Sequence, residues 1–369
     1  QIDGKSPDTL DMYGLIILLT NETDVNDKNS ALDDKESKLF KDWSDDYELG
    51  MFDGVTVADR VLLSAEVRQD VVNQREDDLT ATSRSDASNT QTDIRFRGKG
   101  EWTSTIESEA EIRFRRKFIF MDQGDQLSGA LVSQVTRLNM LVRRIGGLGL
   151  SARIGRQRFD EPREWLFDEY LDALRVWVYQ AERFNVEGAL IHSIHPVDSL
   201  YDTWTDVYTS IEWQPARRNT ISVYLLSRSD SDTRRNREPL YIGGRYFGRI
   251  GGRIEPWGDL AIMRGNDKGR SLDAWALDCG ATLFLRDPQL NPHVTIGYAI
   301  GSGDRNTGDQ VDKRYRQTGY QDNSARFGGL VAFKYYGEIL NPELSNLKIL
   351  SVGAGVRLGS QFGPTRESS

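Results

Sequence analysis

The chain has 369 residues, a formal net charge of −9, three histidines and one cysteine, Cys279. One cysteine excludes an internal disulfide framework and any multi-cysteine metal site, and the acidic balance disfavours nucleic acid as a partner. The longest apolar run near the start, Gly14 to Leu19, falls far short of the roughly 20 residues a membrane-crossing helix needs. A chain that begins at Gln1 without a leader is expected to have been processed beforehand if it is exported. The cations are unevenly chosen: of 47, 11 are lysine, which leaves 36 arginines, the side chain that grips carboxylates and phosphates through a planar fork.

Helical periodicity is nearly absent and period-2 alternation recurs along the chain. From Arg60, Val61, Leu63, Ala65, Val67 and Val71 alternate with Ser64, Glu66, Arg68 and Asp70. From Thr92, Ile94, Phe96 and Trp102 share one face while Arg95, Arg97, Lys99 and Glu101 share the other. From Glu109, Ala110, Ile112, Phe114, Phe118 and Phe120 oppose Glu109, Glu111, Arg113, Arg115 and Lys117. Later segments are less charged. Tyr241, Arg245, Phe247 and Arg249 oppose Leu240, Ile242, Tyr246 and Ile250, and Trp275, Leu277, Cys279, Ala281, Leu283 and Leu285 oppose Asp278, Thr282 and Arg286. The alternation places about 14 to 16 strands near 12–22, 47–57, 58–72, 91–103, 108–122, 129–144, 148–159, 166–181, 183–195, 202–214, 218–229, 239–250, 252–265, 270–286, 291–302, 327–339 and 347–359, some of them merged.

A soluble sandwich and a transmembrane barrel both make such strands. Strands of about 10 to 14 residues suit a bilayer crossing better than a sandwich, and a face of mixed-sign Arg and Glu suits a watery lumen. Aromatic residues near strand ends (Trp102, Phe118, Phe120, Tyr170, Trp213, Trp257) match interface girdles. Short connections such as 144–147, 215–218 and 287–292 alternate with long polar ones at 23–46, 73–90, 230–238 and 303–326, the asymmetry of bacterial outer-membrane barrels. The polar loops are expected to be solvated. No spacing in 23–46 or 73–90 matches a calcium loop. His192, His195 and Asp198 sit on a strand-to-turn segment, where a metal site is not expected, and no nucleophile motif points to an enzyme. Neither a metal nor a cofactor is expected.

Two stretches resemble the alginate-export family of outer-membrane porins. The first is Gly155-Arg156-Gln157-Arg158, then Trp165-Leu166-Phe167-Asp168 and Asp172-Ala173-Leu174-Arg175. The second is Gly297-Tyr298-Ala299-Ile300-Gly301-Ser302-Gly303, followed by Gln317-Thr318-Gly319, Asn323, Phe327, Tyr336-Gly337-Glu338-Ile339-Leu340 and Glu343-Leu344-Ser345-Asn346-Leu347. The motifs cover about a fifth of the chain, and their order extends the resemblance from about residue 12 to the end. It implies one outer-membrane β-barrel over 1–369, about 16 to 18 strands when complete, with closing strands beyond the last residue. It also implies an arginine-lined pore that passes an anionic polysaccharide or a small anionic solute. Arg158 and Asp168 match a constriction arginine and its acidic partner, and Arg137 matches another pore arginine more loosely. The family's lumen lysine falls at Ile17 or Leu18, its next arginine near Gly50, and its loop arginine at Ser324, two residues from Arg326.

The expected pore-lining set is Arg68, Arg95, Arg97, Arg113, Arg115, Arg137, Arg158, Asp168, Arg245, Arg249, Arg326 and Lys334, with Lys99, Lys117 and Arg253 as further cations and Glu66, Asp70, Glu101, Glu109, Glu111 and Glu255 as counter-charges. Cross-strand ion-pair ladders that merely stiffen a wide barrel compete with the pore role for each of them. Arg156 and Arg158 also share parity with Ala152 and Ile154, which should face lipid, so a pore role for Arg158 requires a bulge. The partners expected are the anionic solute and outer-membrane lipid, with periplasmic or extracellular proteins as further candidates. The alternative function is a scaffold or sheath barrel for partner proteins, without free conductance.

Overall fold

Charged and apolar residues alternate along the chain because both faces of every strand are used. A computed structural model describes residues 55–57, 60–74, 87–121, 131–147, 149–180, 183–192, 203–216, 218–232, 236–285, 292–306, 308–327, 331–337 and 342–356. The strand expected at 12–22, the loop at 23–46, and His195 and Asp198 lie outside these residues. In chain order the strands are β1 (Val55–Val57), β2 (Val61–Gln74), β3 (Ala87–Thr103), β4 (Ile106–Met121), β5 (Leu131–Ile145), β6 (Leu150–Asp160), β7 (Asp168–Gln180), β8 (Phe184–His192), β9 (Trp204–Ala216), β10 (Asn219–Asp230), β11 (Arg237–Gly248), β12 (Ile254–Asp267), β13 (Arg270–Phe284), β14 (His293–Gly301), β15 (Val311–Asp312), β16 (Ser324–Phe327), β17 (Val331–Lys334) and β18 (Lys348–Gly355). From β1 to β14 each strand pairs antiparallel with the next, and β18 then adds to β14.

The burial pattern is the reverse of a soluble sheet. Leu138, Leu350 and Val352 are 60%, 68% and 70% exposed, while Asp93, Glu111 and Asp278 are 2–3% exposed. An apolar outer surface around a charged interior is stable against lipid and costly in water. The fold is therefore a transmembrane antiparallel β-barrel. Register keeps the rows apart. Val67, Ile94 and Phe114 line up outside, and Glu66, Arg95 and Arg113 line up inside. Trp213 stacks on Phe184 on the outer surface near one rim, with centroids 6.2 Å apart, and Trp102 is also exposed. Two aromatics expected in the girdle are turned inward instead: Trp257 donates Nε1–H to Asp278, and Tyr170 lies between two arginines. Buried hydrogen-bond partners override the girdle pattern at both positions.

Two connections fold inward. The first is a hairpin. β5 pairs with β6 only from Ile145↔Leu150 to Leu138↔Arg156, and β7 pairs with β8 only from Gln180↔Phe184 to Ala173↔Ile191. The β6–β7 ladder continues past both limits to Asp160↔Asp168. Residues 157–172 thus form a two-stranded hairpin with no neighbouring strand on either side among the described residues. One face is buried at Gln157, Phe159 and Leu171, the other is half-buried at Arg158, Asp168 and Tyr170, and the tip, Trp165-Leu166-Phe167, is buried. The hairpin has left the wall for the interior.

The second inward segment is 302–347, between β14 and β18. The solvated loop expected at 303–326 is instead buried at Tyr315, Gln317, Thr318, Tyr320 and Asn323. The wall strand expected at 327–339 is replaced by the small β16–β17 sheet, which is separate from the barrel. A polar segment can be buried here because the lumen wall and the hairpin offer it hydrogen-bond partners. The insert and the hairpin cover the inner side of β10–β13, where Leu226, Tyr241, Ala261, Met263, Ala274 and Ala276 are sealed off.

Candidate functional site

Gly155 is where β6 leaves β5. Its φ is +113°, which a residue with a Cβ rarely adopts, and a Cβ there would collide with the Leu138 carbonyl. This departure resolves the parity conflict at Arg158. The β6–β7 ladder carries no bulge; the hairpin turns inward as a unit, so both of its faces lie in the lumen. The bulge sits on β5, opposite Glu111 and Ile112, where Thr136 is skipped in the pairing. Thr136 and Arg137 are both buried, and the Thr136 hydroxyl donates to the Glu111 carboxylate at 2.6 Å.

The hairpin tip and the insert hold each other. Gln317 Nε2 donates to the Trp165 carbonyl at 3.1 Å and Thr318 Oγ1 to the Leu166 carbonyl at 2.5 Å. The Asp322 and Asn323 amides donate to the Glu164 carbonyl, and the Tyr335 hydroxyl donates to the Arg163 carbonyl. Trp165 stacks on Tyr315 and Phe167 on Tyr320.

Arginines tie this unit to the wall. Arg163 Nη2 meets both oxygens of Asp278 on β13, at 3.2 and 3.0 Å, and its guanidinium lies 4.0 Å from the Tyr335 ring centroid. Arg245 on β11 pairs with Glu161 of the tip at 3.1 Å and with Asp259 at 2.5 Å. Arg228 forks onto Asp206, donates Nη1–H to the Thr318 carbonyl at 2.7 Å and lies 3.5 Å from the Trp204 ring centroid. Arg270 reaches Asp304 at 2.9 Å. Burial alone would raise Asp312, but hydrogen bonds from Arg314 and Arg316 outweigh it and hold its carboxyl well below the usual range.

The opposite face of the hairpin is charged and looks toward β4 and β5. Arg158 pairs with Asp168, and its guanidinium lies 5.4 Å from the Tyr170 ring centroid. Arg137 lies 5.5 Å from the same ring, and its Nη2 reaches the Tyr170 hydroxyl at 3.5 Å. One tyrosine thus joins a wall arginine to a hairpin arginine. Beyond them Arg97 pairs with Glu111 at 2.6 Å and Arg113 with Asp93 at 2.5 Å. Arg95, Arg113 and Arg115 keep part of their surface open. The interior is therefore divided, with small and apolar side chains beneath the insert and an alternating ladder of cations and carboxylates on β2–β5.

Glu164, Asp168 and Asp322 meet where the hairpin joins the insert, with carboxylate oxygens all within 4.8 Å of one another. Arg158 neutralises Asp168 and Lys334 neutralises Asp322. Burial first, then the charges of Asp168, Asp322 and Glu161, push the Glu164 carboxyl up to about 8 against the pull of Arg158. The cluster is an ion-pair network with one carboxyl left over.

The family model "Alginate export" matches residues 60–363. The chain belongs to the alginate export family. Alginate production protein AlgE of Azotobacter vinelandii is 32% identical over 83 residues, a stretch that covers 22% of this chain and 16% of that protein. Two porin structures also align. OprB of Pseudomonas putida at low pH has a TM-score of 0.40 and 12% identity, over 66% of this chain and 78% of its own. OccD3 of Pseudomonas aeruginosa has a TM-score of 0.44 and 11% identity, over 69% and 60%. Family membership together with the lipid-facing exterior places this barrel in the bacterial outer membrane.

In this member of the family, the residues expected in the pore fall into four groups. Arg95, Arg97, Arg113, Arg115, Arg137, Arg158 and Asp168 lie on the β3–β5 ladder or the hairpin face turned to it, and Arg68 continues the ladder on β2 opposite Asp93. Arg245 and Lys334 point inward but are engaged in holding the hairpin and the insert. Arg249 pairs with Glu255 at the short-turn rim, away from the hairpin. Arg326 is on β16, in the insert rather than the wall. Sequence reasoning missed Arg163, Arg228, Glu161, Asp206 and Asp259. Arg228 carried a usable signal, an arginine in line with Leu226 and Tyr224 on an inward row. Arg163 carried none, because its partner lies 115 positions away.

Proposed function

We propose that the protein passes an anionic polysaccharide, with alginate the first candidate, across the outer membrane by anion-preferring diffusion. The path runs between the charged face of the hairpin and the β2–β5 wall. One observation carries this reading: Tyr170 brings Arg137 of the wall and Arg158 of the hairpin onto one ring, and that contact is the narrowing of the proposed path. Arginines there lower the energy of a carboxylate in transit, and the interspersed Asp93, Glu111 and Asp168 keep it from being held too tightly to leave. The family's name and the AlgE relative suggest alginate. The test is single-channel conductance in a planar bilayer. An anion-selective current blocked by polyuronate is expected. A cation-selective current overturns the proposal, and a silent barrel turns the choice to the scaffold alternative.

A further inference from the structure

Three inward arginines share one pairing geometry, and Arg237 is the one arginine among the described residues whose Nε and Nη2 are both buried without a hydrogen-bond partner. Arg156, Arg175 and Arg228 each set the Nε and Nη2 edge of the guanidinium against one carboxylate, Asp172, Glu187 and Asp206 respectively, at 2.7–3.0 Å. That edge is the one that matches a carboxylate bidentately. Arg237, the first residue of β11, lies in line with the buried Pro239 and Tyr241 on the inward row. Its Nε and Nη2 are shielded from solvent and meet no hydrogen-bond acceptor among the described residues. The carboxylates nearest in register are already engaged. Asp267, directly opposite on β12, accepts from Arg316 at 3.2 Å, and Asp230, which ends β10, accepts from the Asp232 amide at 3.0 Å. A buried charged donor pair without an acceptor costs stability and calls for an explanation.

We propose that Arg237 is a carboxylate-binding subsite of the channel, placed at the long-loop rim beside the insert, where a uronate group of the passing polymer takes the fork that Asp206 takes at Arg228. This rests on the transport reading above and adds to it a residue at the rim, apart from the Arg137–Tyr170–Arg158 narrowing. Arg237 as a whole is half-buried, so part of its side chain is open to an approaching anion, and rotation about the terminal torsions presents the fork.

The experiment measures block of single-channel current by a short oligouronate, for the full chain and for Arg237→Gln and Arg237→Lys. Loss of a charge-assisted fork weakens binding by about tenfold or more. The expected result is a rise of about that size in the blocking concentration for Arg237→Gln, with potassium chloride conductance unchanged. A smaller rise is expected for Arg237→Lys, which keeps the charge and loses the fork. Arg237→Lys alone decides the matter if Arg237→Gln does not assemble. A parent channel blocked at the same concentration as both variants overturns the subsite and leaves the transport reading standing. A parent channel that oligouronate does not block overturns both.

Discussion

Arg163 and Asp278 are separated by 115 positions in the chain, yet they form the ion pair that seats the hairpin tip against β13. Asp278 also accepts from Trp257 Nε1 at 2.9 Å and from the Tyr336 hydroxyl at 2.8 Å, so wall, hairpin and insert converge on one carboxylate. Removing one member of a buried pair leaves the other charge uncompensated. Asp278→Ala should therefore destabilise the protein by about 3–5 kcal/mol. Thermal unfolding in detergent measures this. A loss below about 1 kcal/mol, the size of an exposed pair, would show that Asp278 does not seat the hairpin. In the double variant with Arg163→Met the loss should be smaller than the sum of the single losses, because the two side chains share one interaction.

Gly155 sets where the hairpin departs. Gly155→Val combines an unfavourable positive φ with a collision on the Leu138 carbonyl. Strain of this kind costs about 1–3 kcal/mol before the clash is counted. Reduced yield of the heat-resistant folded band on unboiled gels is expected. Full recovery of that band would mean that the hairpin does not depend on this hinge.

Glu164 makes the junction sensitive to pH. Its folded-state value of about 8 lies above its ordinary 4.5, so the folded protein holds the proton more tightly than the unfolded chain does. The contribution to stability is complete below pH 4.5 and is lost as pH rises through about 8. Arg158, Asp168, Asp322 and Glu161 face the group and set this balance. Unfolding midpoints across this window should fall with pH more steeply for the parent than for Glu164→Gln. Parallel slopes would remove Glu164 as the cause.

Charge reversal tests the narrowing. Arg137→Glu and Arg158→Glu each place a carboxylate beside Tyr170 and should move the reversal potential in a potassium chloride gradient toward cation preference. Arg158→Glu also leaves Asp168 without its partner, so it should carry the larger effect on stability. Unchanged selectivity in both variants would take these residues out of the permeation path.

The barrel was legible in the sequence because its cause is local. A strand between lipid and water must alternate with period 2, and rows such as Phe96, Ile112 and Leu138 against Arg97, Glu111 and Arg137 show this directly. The inward parity of Arg97, Glu111 and Arg137 was legible for the same reason. Arg228 could have been read from its inward row. The hairpin was not legible, because 155–175 alternates like any wall strand. Whether such a strand stays in the wall depends on its neighbours, and both β5 and β8 stop pairing with it. The insert looked like a solvated loop because it is polar. Its burial depends on acceptors and aromatic rings supplied by residues 161–167, over a hundred positions away. By itself the sequence determined an inside-out β-barrel, since strand parity records which solvent each side chain meets. Only the tertiary structure decided which arginines hold the hairpin and the insert, because that depends on long-range pairs such as Arg163–Asp278 and Arg245–Glu161 that no local pattern encodes.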